Sequence, residues 1–422
     1  IDYKGVIHII LKAHIPKEKE GTYYTIPFDV PSGVEKITVS YDYFRKGTGI
    51  FADLKPSNTV DIGLEDEKGN FLGWSGSAHK SVSVGEYTSS PGYLCEPVNP
   101  GQWKIIVGAY HIMEDGVDVT YNIDFEFKGE RLLFGDLHIH TTASDGKLSA
   151  FEIGALAKSK GLDFVALANH NNFSENLFLP HIDGLTFIPA VEWTHYKGHI
   201  NLFGVANPFE NSFVANTKED MHVLLKNARS KGATVSVNHP KCRICPYLWE
   251  DENIFDMVEI WNGPMRKTNT DGIKWWTDML CKGRKIPAVG GSDFHKPKHF
   301  ARLGNHVSGV YAKSTDAEDI LQSVKSGKTF VTESVKGVRL NLKYGKYSLG
   351  DTAEYSPNTP LIIESDGKAL ILVTDKGEKR VKLLDGKTEI KLEKVKFAYV
   401  KAVKGFGKTK RITAISNPIY FE

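Results

Sequence analysis

At 422 residues the chain is too long for one compact core, so two or three domains are expected. Its 41% hydrophobic and 25% charged content is that of a globular protein, and four cysteines exclude a disulfide scaffold. A formal net charge of +2 gives no reason to expect a nucleic-acid partner, and no apolar run is long enough to span a bilayer.

Residues 1–130 read as strands. "EKITVSYDYF", "TVDIGLED", "QWKIIVGAY" and "VTYNIDFEF" alternate apolar with polar residues, and "KPSNT", "SSPGY" and "VNPGQ" break them. A β-sandwich is expected. The N-terminal "IDYKGVIHII" shows no leader pattern, and a cytoplasmic protein is expected. His8, His14, His79 and His111 lie in this part without ligand spacing and read as surface or packed residues.

Over 131–334 the pattern changes. Short apolar strands ("LLFGDLHI", "DFVALAN", "LTFIPAVEW", "ATVSVNH", "DMVEIWN", "IPAVGGS") alternate with amphipathic helices such as "SAFEIGALAKSKG" and "TKEDMHVLLKNARSKG". That order implies a mostly parallel sheet with helices outside it, a doubly wound sheet or a barrel. Residues 335–422 return to strands and read as a small C-terminal β-domain. Its lysines alternate with apolar residues, as on a solvated strand face.

Eleven of the fifteen histidines lie between 138 and 306. His138 and His140 end the first α/β strand, and His170, Glu192 and His239 end later ones. Asp293 and His295 follow "AVGGS". Strand C-terminal ends form one rim in α/β folds, so these residues should converge. Imidazole and carboxylate are the groups that hold divalent transition metals. His199 begins a strand, but only six residues separate it from Glu192, too few for a crossover helix. An antiparallel hairpin would return it to the same rim. His181, His195, His222, His299 and His306 fall outside the set, with His195 the one nearest a substrate. Cys242 and Cys245 form a C-x-x-C pair, expected to be a loop staple or two free thiols.

The ordered set of H-x-H, S-D-G, N-H, E, G-H, H-P and G-S-D-x-H resembles the PHP (polymerase and histidinol phosphatase) family of metallohydrolases. More narrowly it is similar to the carbaryl-hydrolase-like branch, which the ending "AISNPIYF" also fits. The resemblance implies a multidomain α/β plus all-β chain: a distorted (β/α)7 PHP barrel between an N-terminal β-sandwich and a C-terminal β-domain. It implies two or three divalent ions (Zn, Mn or Fe). His138, His140, Glu192 and Asp293 would bind the first, and Glu192 would bridge to a second held by His199 and His239. Asp145, His170 and His295 would hold a third. The family's T-D-H is "ANH" here, so Asn169 removes a carboxylate beside that third site.

Such ions activate water and stabilise developing charge, which implies a phosphoesterase acting on a small phosphorylated substrate. Arg266 is the leading candidate to hold the phosphate, with Lys241, Arg243, Lys296 and Arg302 behind it. Trp261 and Tyr247 are candidates for an apolar wall. Glu192, Asp293, His199 and Arg266 would carry the reaction. Hydrolysis of a non-phosphate ester, carbamate or amide is the alternative; a non-catalytic binding module with structural metals is a third.

Overall fold

In the computed structural model of the chain, residues 6–45, 57–86, 88–297, 301–405 and 411–422 are described. The chain divides into two compact units, Ile1–Gly129 and Glu130–Glu422. Among the described residues no helix is long and apolar enough to cross a membrane.

The first unit contains β1 (Val6–Ile15), β2 (Thr22–Val30), β3 (Val34–Tyr43), β4 (Thr59–Glu65), β5 (Phe71–Ser75), β6 (Ser81–Gly85), β7 (Gly101–His111) and β8 (Val117–Phe127). They form two four-stranded sheets, ordered β1-β8-β3-β6 and β2-β7-β4-β5. All pairings are antiparallel. The alternation in β8 sends Val119, Tyr121, Ile123 and Phe125 inward, where they meet Trp103, Ile105 and Val107 of β7 in one core. This is the sandwich that the two-residue period requires.

The second unit continues with β9 (Arg131–Ile139), α1 (Ala150–Ser159), β10 (Phe164–His170), β11 (Thr186–His195), β12 (Gly198–Phe203), α2 (Lys218–Ser230), β13 (Thr234–Val237), β14 (Met257–Asn262), α3 (Lys267–Cys281), β15 (Ala288–Gly291), β16 (Asn305–Ala312), α4 (Ala317–Lys325) and β17 (Thr329–Ser334). "SAFE" starts α1 as a capping box between Ser149 and Glu152, and Thr217 with Asp220 does the same for α2. Strands β9 to β15 lie in sequence order, parallel except around β12. The run curls, because a parallel bridge joins Ile139 at the end of β9 to Phe294 just beyond β15.

Among the described residues the run does not show seven β/α repeats. Among the described residues only α1, α2 and α3 connect strands of this run. β10 leads to β11 through a 3-10 turn, β11 to β12 through a tight hairpin, and the β13–β14 link is a loop. Strands beyond 335 belong to the same unit: Arg411–Ser416 pairs antiparallel with β17 and extends its sheet. The buried Asn417 then fastens β15 to β17. Its Oδ1 accepts the Ala288 N–H at 2.7 Å, and its Nδ2 donates to the carbonyls of Ala288 and Thr329.

Candidate metal centre

The curled strands bring the histidines to one place. His138 and His140 leave the end of β9 fully buried, and His170 closes β10 in parallel register with Glu192 of β11. Glu192 lies inside β11 rather than ending it. The expected hairpin forms, with His199 opposite Thr194 and Asn201 opposite Glu192. His239 follows β13 and Asp293 follows β15, each at positive φ (28° and 53°), so the backbone turns sharply where each side chain enters the centre. Gly291 permits the close approach of β15 to β9: a Cβ there would lie 2.5 Å from that of His138.

Glu192 is the hub. Its Oε1 lies 3.3 Å from His138 Nε2, 3.1 Å from His199 Nδ1 and 3.4 Å from His239 Nε2. Its Oε2 lies 3.5 Å from His140 Nε2 and 2.8 Å from His170 Nδ1. Asp293 Oδ1 lies 3.1 Å from His140 Nε2 and 3.5 Å from His138 Nε2. On the outer side Asp145 Oδ1, more than half exposed, lies 3.3 Å from His295 Nε2 and 3.7 Å from His170 Nε2. His140, Asp145, His170 and His295 form one group whose donor atoms could share an ion; His138, His140 and Glu192 form another.

The donor set fits divalent cations. His138 Nε2, His140 Nε2 and Glu192 Oε2 are buried without a hydrogen-bond partner, because the 2.8 Å approach of His170 to Oε2 is not aligned as a hydrogen bond. Bonds of about 2.1 Å at octahedral to tetrahedral angles set neighbouring donors roughly 3.0 to 3.4 Å apart, close to the spacings between these atoms. Burial opposes ionisation of Glu192, yet the charge of His138 and the imidazoles of His170 and His199 outweigh it and hold the carboxyl well below its usual range. Asp293 is depressed in the same way, against burial, chiefly by His138 and His140. His239 moves the other way: burial lowers it, but Glu192 prevails and pushes it up to about 9. His138 and His170 are likewise raised, against burial, by the surrounding carboxylates, so these imidazoles favour positive charge where a cation would bind instead.

Several supporting residues were not singled out from the sequence. Glu259 of β14 accepts from three sides: its Oε1 is 2.9 Å from His138 Nδ1, and its Oε2 accepts the His239 N–H at 3.0 Å and Asn262 Nδ2 at 3.1 Å. Asn238 Nδ2 donates to Glu192 Oε1 at 2.8 Å. Asp136, fully buried and pushed up to about 6 by that burial, accepts the Ser292 N–H at 2.9 Å and the Gly304 N–H at 3.2 Å. A carboxylate within an apolar strand, as in "DMVEIWN", was the available clue. Asn169 has a different role from ligation: its Oδ1 accepts from Thr141 and Ser144 and its Nδ2 donates to Glu175, tying the loops after β9 and β10.

Two cavities open beside the cluster. One of about 660 Å³ reaches His199 and is walled by Trp193, His195, Tyr196, Phe213 and Val214. The other, about 470 Å³, reaches His239 and Asp293 and is lined by Arg243, Arg266 and Lys267. Arg266 is therefore at the cluster's mouth, as the residue before α3. Lys241 instead lies over the Trp275 ring, and Lys296 and Arg302 are exposed and line neither cavity. Trp261 is core, its ring tilted against that of His306, and Tyr247 packs on Phe255 and Trp275. His195 walls the larger cavity, and His222 pairs with Asp251. His181 is exposed, and His299 lies outside the described residues.

Compared with protein-family models and with curated proteins, the chain has no match to either. Among solved structures it is similar to a two-domain protein containing a predicted PHP-like metal-dependent phosphoesterase from Bacteroides vulgatus, at 17% identity and TM-score 0.40, over 68% of this chain and 96% of that one. It is also similar to a protein from Bifidobacterium adolescentis described as a metal-dependent phosphoesterase (16%, TM-score 0.30, 45% and 94%). A third likeness is to an amidohydrolase from Chromobacterium violaceum with bound sulfate (16%, TM-score 0.29, 39% and 88%). At these TM-scores the likenesses carry no functional weight, which rests on the geometry of the cluster.

Proposed function

We propose that the chain is a metal-dependent hydrolase of the PHP type and that its substrate is a small phosphorylated compound. The observation that carries this reading is the convergence of buried, partnerless imidazole and carboxylate atoms at ligand-edge spacing around Glu192. In it His138, His140, Glu192 and Asp293 would hold one ion, His199 and His239 with Glu192 a second, and Asp145, His170 and His295 a third. Bound divalent ions, Zn, Mn or Fe, would supply water of lowered pKa and polarise the bond under attack. Glu192 would offer Oε1 on the side of His138, His199 and His239 and Oε2 on the side of His140 and His170. Glu259 fixes the His138 ring through Nδ1, leaving Nε2 to face the centre. Arg266 and Arg243 give the smaller cavity the charge to orient an anionic group beside Asp293. Residues 131–334 form the catalytic part in this reading.

A second reading, hydrolysis of a non-phosphate ester, carbamate or amide, is favoured by the larger cavity, whose Trp193, Phe213 and Val214 suit an uncharged apolar group. The test is metal-stripped protein reloaded with Mn, Zn or Fe and assayed in parallel on a chromogenic phosphate monoester, a phosphodiester and an aryl ester. Reloading should restore phosphoester cleavage. Turnover of the aryl ester alone selects the second reading, and full turnover without metal removes both.

A further inference from the structure

The C-x-x-C pair is not a staple. Cys242 and Cys245 are free thiols in the loop after β13. The loop is fastened at both ends: the Tyr247 N–H donates to the Pro240 carbonyl at 3.0 Å and the Leu248 N–H to that of Lys197 at 2.8 Å. Within it the N–H groups of Ile244 and Cys245 both donate to Cys242 Sγ at 3.4 Å. Cys245 Sγ lies 2.9 Å from Cys242 Sγ and 3.6 Å from His239 Nδ1. His199, His239 and Cys245 each present a donor atom within 4.8 Å of the other two.

We infer that His199, His239 and Cys245 form a site for a thiophilic cation such as Zn²⁺, with Cys242 beside it as a second sulfur. The spacing supports it. A tetrahedral ion with bonds of about 2.3 Å to sulfur and about 2.1 Å to nitrogen separates those ligands by roughly 3.6 Å. Two imidazoles and a thiolate favour Zn²⁺, Cd²⁺ or Co²⁺ over Mg²⁺ or Ca²⁺. On binding, the Cys245 thiol proton leaves to solvent and the sulfur lone pair takes the cation.

His239 gives the site its consequence. It turns Nε2 toward Glu192 at 3.4 Å and Nδ1 toward Cys245. A neutral imidazole has one lone pair, so it cannot serve both sides at once. A thiophilic ion at Cys245 therefore competes with the carboxylate-side centre for His239, and an excess of such an ion withdraws that ligand.

The test is independent of the proposed hydrolysis, because its readout is spectroscopic. Reduced, metal-stripped protein is loaded with Co²⁺, its cobalt content measured, and its near-ultraviolet sulfur-to-cobalt charge-transfer band recorded. The band is expected in the wild type and in Cys242→Ser, and is lost in Cys245→Ser that keeps its circular dichroism. In the wild type, Zn²⁺ should also slow alkylation of Cys245, located by peptide mass spectrometry, which needs no variant to fold. A cobalt-loaded wild type without the band, a band that survives Cys245→Ser, or alkylation unaffected by Zn²⁺ overturns the inference.

Discussion

Histidines meet carboxylates in both units, on opposite terms. In the sandwich His8 pairs with Asp124, His14 with Asp118 and His111 with Glu20, one acid each and on exposed strand faces. In the second unit one buried carboxylate, Glu192, has five imidazoles within 3.5 Å. Exposed pairs are screened and contribute little to stability. A buried, many-sided cluster is costly to leave without counter-charge. The residue types are the same; burial and number separate a surface pair from a candidate metal centre.

The largest effect that would sharpen this contrast is expected from Glu192→Gln. Loss of the hub's charge should remove the first and second ions together and abolish hydrolysis, while Asp145→Asn depletes only the third ion, proposed to lie with His170 and His295. Elemental analysis of both variants, with circular dichroism as the folding control, checks it. Equal metal loss in the two would contradict the central place given to Glu192.

His306 tests whether burial alone, without the cluster, dictates behaviour. It is buried against Trp261, and that burial pushes its pKa down to about 4. A folded pKa below the unfolded value means stability is retained above about pH 6.5 and falls as pH drops toward 4, by at most about 3 kcal/mol. Urea titrations at pH 7 and pH 4.5 should show a smaller acid loss in His306→Phe than in the wild type. Identical losses would remove His306 as a source.

Glu259→Gln should come next, weakening metal affinity or activity about 10- to 100-fold through His138. Chelator competition measures it, and affinity equal to wild type would deny Glu259 its orienting part. The smallest effect belongs to the sandwich: His14→Ala should shift stability by no more than about 0.5 kcal/mol and leave metal content unchanged. A loss of metal there would break the contrast outright.

Much of the centre was legible in the sequence because metal ligands are few in type and fall at strand ends. H-x-H, N-H, H-P and G-S-D-x-H marked the ends of β9, β10, β13 and β15, and a six-residue gap foretold the β11–β12 hairpin. The strand period likewise revealed the sandwich. What stayed hidden depends on tertiary register. Glu259 and Asp136 sit in apolar strands and become partners of His138 and Ser292 only when β14 and β15 close toward β9. Cys245 reaches His239 through the turn of its loop, which spacing alone does not specify. The quoted helices formed as α1 and α2, whereas among the described residues the β10–β11 and β13–β14 links hold no α-helix, being too short or too irregular.

The Asn417 clamp sets a timetable. Ala288 waits for a partner 129 residues further along the chain, and the strand that begins there leads directly to Asp293 and His295. On a ribosome those residues emerge long before Asn417 does, so the strand carrying them is left unfastened during synthesis. In the proposed function, metal capture by the full cluster would then await the last strands. A nascent chain halted before residue 417 should bind metal poorly even though every proposed ligand has already been translated.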